Sequence, residues 1–357
     1  MMAMNNEMCN FAAITEPLLR WYDNNRRILP WRENRDPYRV WVSEIMLQQT
    51  RVAAVIPYYE RWMQELPDVA ALAAVSEERL MKLWQGLGYY SRARNLQKAA
   101  QHIMETCGGQ FPDTYETLLA LPGVGEYTAG AIASIAFSQR VSAVDGNVLR
   151  IAARLGAMEE DILDPRTKKT VRTMLEPALP SDRSGDFNQA LMDLGATICV
   201  PNGKPQCDAC PLASICEANR LGIAQELPMR AKKRGRRVEE MTVYLLLRGG
   251  QVALRKRQDE GLLAGLWEFP HVSGTLGEAD AAQPLSEWKI VARDWKKKIA
   301  ARHIFTHVEW HMTGYLLYAE GDGVEEFLWA DRGMLETLAI PTAFKKFYLE
   351  CMEALGE

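Results

Sequence analysis

Four of the seven cysteines, Cys199, Cys207, Cys210 and Cys216, fall in the pattern C-x7-C-x2-C-x5-C within one loop-rich stretch. Thiols gathered this densely either join as disulfides or share a metal centre. The N-terminus, MMAMNNEMCN, has neither a basic start nor an apolar segment of the secretory kind. A reducing cytoplasmic setting is therefore expected, and disulfides are disfavoured there. Zinc sites usually pair two C-x2-C knuckles, and only one is present. The spacing therefore favours an iron–sulfur cluster with four cysteine ligands, with zinc as the alternative. Cys9, Cys107 and Cys351 stand alone and read as ordinary thiols.

A second constellation lies upstream. Leu121–Gly130 reads LPGVGEYTAG, so one helix runs into Gly123-Val124-Gly125 and another begins near Glu126. Glycines allow a tight turn and expose backbone N–H groups, which with the helix start can hold a phosphate. A plain helical hairpin would carry the same signature. About twenty residues on, in VDGNV, Asp145 is placed to cap the helix carrying Leu149, Arg150, Ile151 and Arg154. It reads either as a cap alone or as a carboxylate kept ionised by helix-start N–H groups.

The elements that must position these residues are legible in outline. Residues 11–225 read as helical, with breakers at Leu29-Pro30, Leu66-Pro67-Asp68, Cys107-Gly108-Gly109 and Leu121-Pro122-Gly123. Asp113 is expected to cap a helix over Thr114–Ala120. The 227–240 stretch carries six basic against two acidic residues and reads as a linker between a 1–226 domain and a 241–357 domain. Strands are expected at Met241–Arg248, Val252–Arg255, Phe305–Val308, Met312–Tyr318 and Phe327–Trp329. Helices are expected at Leu285–Ala292 and Pro341–Leu355, so the second domain is α+β.

Composition narrows the class. Of 357 residues, 48% are hydrophobic and 25% charged, which excludes a disordered, collagen-like or coiled-coil chain. No run of about 18 apolar residues suggests a membrane span. The net charge of −4 means that any DNA binding must use local patches.

Together the LPGVG turn, the aspartate about twenty residues on and the four-cysteine cluster resemble the helix–hairpin–helix DNA glycosylases of the endonuclease III superfamily. Pro30–Val52 (PWRENRDPYRVWVSEIMLQQTRV), Gly86–Arg92 (GLGYYSR) and Phe187–Gly195 (FNQALMDLG) narrow the resemblance to the MutY-type adenine glycosylases. It spans almost the whole chain, in the family's order. The chain departs from the family pattern twice. The first cysteine gap holds seven residues where the family usually has six, which bears on Cys199. The lesion-reading loop, commonly Phe-Ser-His, is Phe305-Thr306-His307 here.

The resemblance implies a mostly α glycosylase domain with an iron–sulfur loop and a 4Fe-4S cluster on the four cysteines, followed by a Nudix-like domain. It implies a monomer acting on double-stranded DNA in the cytoplasm, at the nucleoid. The activity is hydrolytic removal of adenine opposite 8-oxoguanine or guanine in base excision repair. Adenine leaves readily only when protonated at N7, so the site needs an acid still protonated near neutrality. Glu44, in the apolar segment VWVSEIML, is that acid, because burial raises a carboxyl. Asp145 would stabilise the oxocarbenium-like sugar. Tyr127 stands where the family's lyases carry a Schiff-base lysine. A phenol cannot form an imine, so base removal without strand cleavage follows.

The flipped base must leave the stack. By the same resemblance Gln49 and Tyr89 fill the gap, while Arg27, Trp31, Arg32, Leu47 and Gln189 border the adenine pocket. Gln48, Thr50, Gly123, Val124, Gly125 and Asn147 contact DNA nearby. Arg257–Pro270 (RQDEGLLAGLWEFP) resembles the entry to a Nudix fold, yet no REUXEE magnesium box follows. The second domain is therefore expected to read the lesion, through Phe305, Thr306 and His307, and not to hydrolyse nucleotides. A pyrimidine glycosylase-lyase is disfavoured by Tyr127. A Nudix hydrolase is disfavoured by the missing box, and a non-catalytic iron–sulfur DNA binder by the carboxylate pair.

Overall fold

The computed structural model describes residues 10–230 and 235–356. Its chain divides into two compact units, Met1–Val75 with Arg94–Lys232 and Ser76–Ala93 with Lys233–Glu357. Residues 231–234, inside the expected linker, lie outside the described residues.

The first unit is helical. Asp36, Asp68, Asp145 and Asp164 each cap a helix by accepting from backbone N–H groups of its first turn. Thr114, not Asp113, caps Tyr115–Leu119. Its hydroxyl accepts from Thr117 N–H while the Thr117 side chain accepts from Thr114 N–H, a reciprocal box that an aspartate one residue earlier does not make. Ile14, Leu18, Val148, Ile151, Leu155, Val171, Phe187, Ala190 and Leu194 form an apolar core from helices distant in sequence. Leu227 is buried in this unit, and its carbonyl accepts from Arg154 Nε at 3.0 Å.

The second unit holds a seven-stranded sheet: β1 Arg237–Arg248, β2 Gln251–Lys256, β3 Trp267–Glu268, β4 His271–Ser273, β5 Val291–Ile304, β6 Val308–Glu320 and β7 Phe327–Ala330. The order is β3-β2-β1-β6-β5, with β4 on β1 and β7 on β2. The β1–β6 pair is parallel and the other pairs are antiparallel. Gly249 and Gly250, both at positive φ, make the tight β1–β2 turn. The sheet buries Val243, Leu245, Met312, Phe344 and Phe347 in one core cluster and Tyr244, Leu246, Tyr315 and Leu317 in another.

Three expectations are corrected here. Phe305–Val308 is not a strand: Phe305-Thr306-His307 is the turn between β5 and β6, closed by Phe305 N–H to Val308 C=O at 2.8 Å. The helix expected at Leu285–Ala292 spans only Gln283–Glu287, and β5 begins at Val291. β5 escaped notice because it is an edge strand, exposed over most of its length, and its lysines obscure any alternation. β1 also begins earlier, at Arg237, inside the stretch read as linker.

Candidate active site and cysteine centre

The Pro37–Leu47 helix is buried along most of its length and carries Glu44 into the first unit at 6% exposure. Glu44 makes no ion pair with Arg32, which is committed to Asp193. Glu44 accepts instead from the Tyr127 hydroxyl at 2.5 Å. Burial pushes its carboxyl up to about 7. The Tyr127 hydrogen bond opposes the rise, the Asp145 charge adds to it, and the Arg32 charge opposes it weakly. Tyr127 sits in the first turn of Glu126–Ile135, and burial beside Glu44 raises its phenol further above the ordinary range.

Asp145 caps Gly146–Leu155 as expected. Its Oδ1 accepts from Asn147 N–H and Val148 N–H, and its Oδ2 from Asn147 Nδ2, each at 2.8 Å. The cap does not depress its pKa, contrary to expectation. Burial outweighs the donated hydrogen bonds, so the carboxyl rises from its ordinary value. All three bonds nevertheless use it as an acceptor, the role of a carboxylate. Asn147 Oδ1 in turn accepts from Arg150, whose guanidinium donates to the Cys199 and Gly195 carbonyls. A continuous hydrogen-bonded chain thus joins Asp145 to the backbone of the first cysteine.

Arg27, Trp31, Arg32 and Gln189 line one cavity of about 230 Å³. Leu47 is not among its lining residues. Asp193, fully buried, holds the two arginines: Arg32 Nη1 and Nη2 donate at 2.7 and 3.0 Å, and Arg27 Nε at 2.7 Å. The paired guanidinia keep its carboxyl below the usual range against the pull of burial. Asp193 lies inside the Phe187–Gly195 segment but carries no motif of its own in the sequence. The signal was its place four residues after Gln189, on the same helix face. Arg150 and Arg154 were placed on the helix capped by Asp145 but given no role, although two arginines four apart on an otherwise apolar helix ask for buried acceptors.

At the end of the Glu44 helix, Gln48 donates to Thr128 Oγ1 at 3.4 Å and Thr50 N–H donates to the Leu47 carbonyl. Gln49 is exposed in the left-handed region at φ 58°. Tyr89, in the second unit, is 46% exposed at φ 47°. Non-glycine residues held there are uncommon and cluster at functional sites. Gly123 needs its φ of +73° and its lack of a side chain, since a Cβ would stand 2.5 Å from Asn95. Val124 is buried behind it, and Gly125 heads the next helix.

In the second unit Thr306 and His307 are exposed at the β5–β6 turn, and the Thr306 hydroxyl is hydrogen-bonded to that of Tyr89. The Phe305 ring packs edge-on to His303 and Trp310. The strip carrying Tyr89 is fastened to the same unit by Lys82 Nζ to the Leu338 carbonyl.

Cys199, Cys207, Cys210 and Cys216 are free thiols that line a single cavity with Ile151, Leu155, Leu194, Ile198 and Leu212. Among the described residues, no group of three His, Cys, Asp or Glu is assembled to hold a metal ion. The donor set fits a sulfur-ligated cluster: four thiols, an apolar wall, and the Arg154 guanidinium donating to Cys199 Sγ at 3.1 Å.

A profile of HhH-GPD superfamily base excision DNA repair proteins matches residues 42–178, and one of the NUDIX domain matches residues 242–350. The chain is 35% identical to the adenine DNA glycosylase of Rattus norvegicus, over 96% of this chain and 78% of the relative. It is 36% identical to that of Homo sapiens, over 96% and 74%. It is 34% identical to one from Buchnera aphidicola, over 84% and 85%. Among solved structures, a thermostable thymine-DNA glycosylase matches at TM-score 0.54 and 28% identity, covering 59% of this chain and 97% of that one. A trapped endonuclease III–DNA covalent intermediate matches at 0.51 and 25%, covering 60% and 100%.

Proposed function

Because the chain belongs to the adenine DNA glycosylase family, we propose that it excises adenine opposite 8-oxoguanine, or opposite guanine, in double-stranded DNA without cutting the strand. The observation that carries this reading is Glu44, a buried carboxyl raised to about 7 and hydrogen-bonded by a tyrosine where a lyase needs an amine.

Near neutrality a large share of Glu44 is protonated, and it gives that proton to adenine N7 as the glycosidic bond lengthens. Positive charge then grows on the deoxyribose. Asp145 faces it as an acceptor oriented by three hydrogen bonds, and stabilises it through space. Tyr127 keeps Glu44 in register and offers no amine for an imine, so water completes the displacement.

Arg27, Trp31, Arg32 and Gln189 receive the flipped adenine, with Leu47 at the border. Gln189 offers its edge both a donor and an acceptor. Gln49 and Tyr89 occupy the space the base leaves, and Gln48 and Thr50 brace that loop. The Gly123-Val124-Gly125 hairpin and the helix start at Asn147 hold backbone phosphates. Phe305, Thr306 and His307 read the partner base from the Nudix-like unit.

Cys199, Cys207, Cys210 and Cys216 would hold a 4Fe-4S cluster, whose chemistry is thiolate ligation and one-electron transfer. The chain's own part is to shape that loop against Arg150 and Arg154. Among the described residues no helix is long and apolar enough to cross a membrane. A monomer acting on the nucleoid is the proposed working form.

The test is a labelled 8-oxoguanine:A duplex incubated with the protein and divided, one half heated in alkali. Product only after alkali supports the reading. Strand cleavage without alkali points to a lyase, and no product in either half refutes the assignment.

A further inference from the structure

Arg154 follows Arg150 by one helical turn and is 3% exposed. Its guanidinium donates to three acceptors: Cys199 Sγ at 3.1 Å, the Val200 carbonyl at 3.0 Å and the Leu227 carbonyl at 3.0 Å. Its own carbonyl lies 3.4 Å from Cys216 Sγ. One residue therefore touches the first and last cysteines of the cluster and the segment that leaves the unit.

The charge is more telling than the contacts. Burying a cation is costly unless an anion accompanies it. Both carbonyl partners are neutral, and among the described residues no carboxylate reaches Arg154. Arg27 and Arg32, by contrast, share Asp193, and the equally buried Arg150 spreads its donors over neutral acceptors, none of them a sulfur. Arg154 faces sulfur. A cysteine that ligates metal does so as thiolate, which supplies the missing negative charge at the atom Arg154 already holds.

We propose that Arg154 is a positioning residue for Cys199. Its charge is neutralised by the ligating thiolate, its fork holds Cys199 and Val200 at the mouth of the Val200–Gln206 loop, and its field raises the reduction potential of the bound cluster. The sign follows from charge: a cation beside the centre favours the more negative, reduced state, so its removal lowers the potential. The inference rests on the iron–sulfur reading of the four cysteines.

The experiment uses the full chain purified anaerobically as wild type, Arg154→Met and Arg154→Lys. It reads far-ultraviolet circular dichroism, iron per chain, the rate of iron release to a chelator, and the reduction potential by voltammetry. In Arg154→Met, with the dichroism of wild type, release should be faster by roughly tenfold or more, as for loss of an outer hydrogen-bond partner. Its potential should fall. Arg154→Lys keeps the charge, but its compact ammonium cannot span the separated acceptors that the planar fork reaches, so its potential should stay near wild type while release quickens. A folded Arg154→Met with unchanged release and potential overturns the proposal. Should Arg154→Met fail to fold, Arg154→Lys decides, and release equal to wild type overturns it. Wild-type protein without iron overturns the cofactor reading itself, and is seen before any variant is compared.

Discussion

Replacing Glu44 by Gln separates what the carboxyl does for catalysis from what it costs the fold. The carboxyl moves from an ordinary 4.5 to about 7 on burial. Holding it ionised in the folded chain therefore costs about 3 kcal/mol relative to the unfolded one. Below pH 4.5 both states are protonated and the cost is absent. Between 4.5 and 7 the unfolded chain releases its proton first, so the folded state loses stability as pH rises through that window and levels off above it. Glutamine has the same shape, keeps an oxygen for the Tyr127 hydroxyl, and does not titrate. Urea unfolding of both proteins at pH 4.5 and pH 8 should then show Glu44→Gln gaining on wild type by up to about 3 kcal/mol at the higher pH. Single-turnover excision should meanwhile fall by at least about a hundredfold, since a positioned acid contributes about 10²–10⁴. Binding to the mispaired duplex should persist. A stability difference that does not change between the two pH values would refute the buried, raised carboxyl. Excision within about tenfold of wild type would remove it from the mechanism.

Other perturbations follow from the same geometry. Tyr127→Phe removes a hydrogen bond to the ionised form of Glu44, worth about 1.5–3 kcal/mol for a charged acceptor. The alkaline limb of the excision rate should move up by about one to two pH units, and an unmoved limb would show that the bond does not tune the acid. Asp193→Asn leaves two guanidinia without their buried counter-ion, so destabilisation of about 3–5 kcal/mol is expected in chemical unfolding, with weakened excision. Cys210→Ser should lose the iron absorbance and protease resistance of the Cys199–Cys216 loop, while retention of about four irons per chain would exclude it as a ligand. Thr306→Ala should reduce the preference for 8-oxoguanine:A over G:A by no more than about tenfold, the reach of one neutral hydrogen bond. Rates on the two mispairs measure it. Truncation near residue 226 is a coarser probe, because it also strips Ser76–Ala93 of its bonds to Leu338 and Ile340.

Local chemistry was legible in the residues themselves. The cap at Asp145, the Gly123–Gly125 turn and the apolar helix around Glu44 depend on a few neighbours in the chain, and each appears where its residue types place it. The gathering of the four cysteines on one cavity follows from close spacing in the same way. The long core strand at Met241–Arg248 was readable because a continuous apolar run has few other uses.

What depended on distant neighbours was not. β5 carries three consecutive lysines and is held by its pairing with β6, so its strand nature comes from its partner and not from its own side chains. The partner of the buried Glu44 depends on distant residues: Asp193, more than 160 residues from Arg32, holds that arginine, and Glu44 meets Tyr127. Asp145 shows the limit most clearly. Its cap was written in the sequence, but the direction of its pKa was not. Hydrogen bonds to a helix start are local, whereas desolvation is set by every element folded around the carboxyl, and here desolvation is the larger effect.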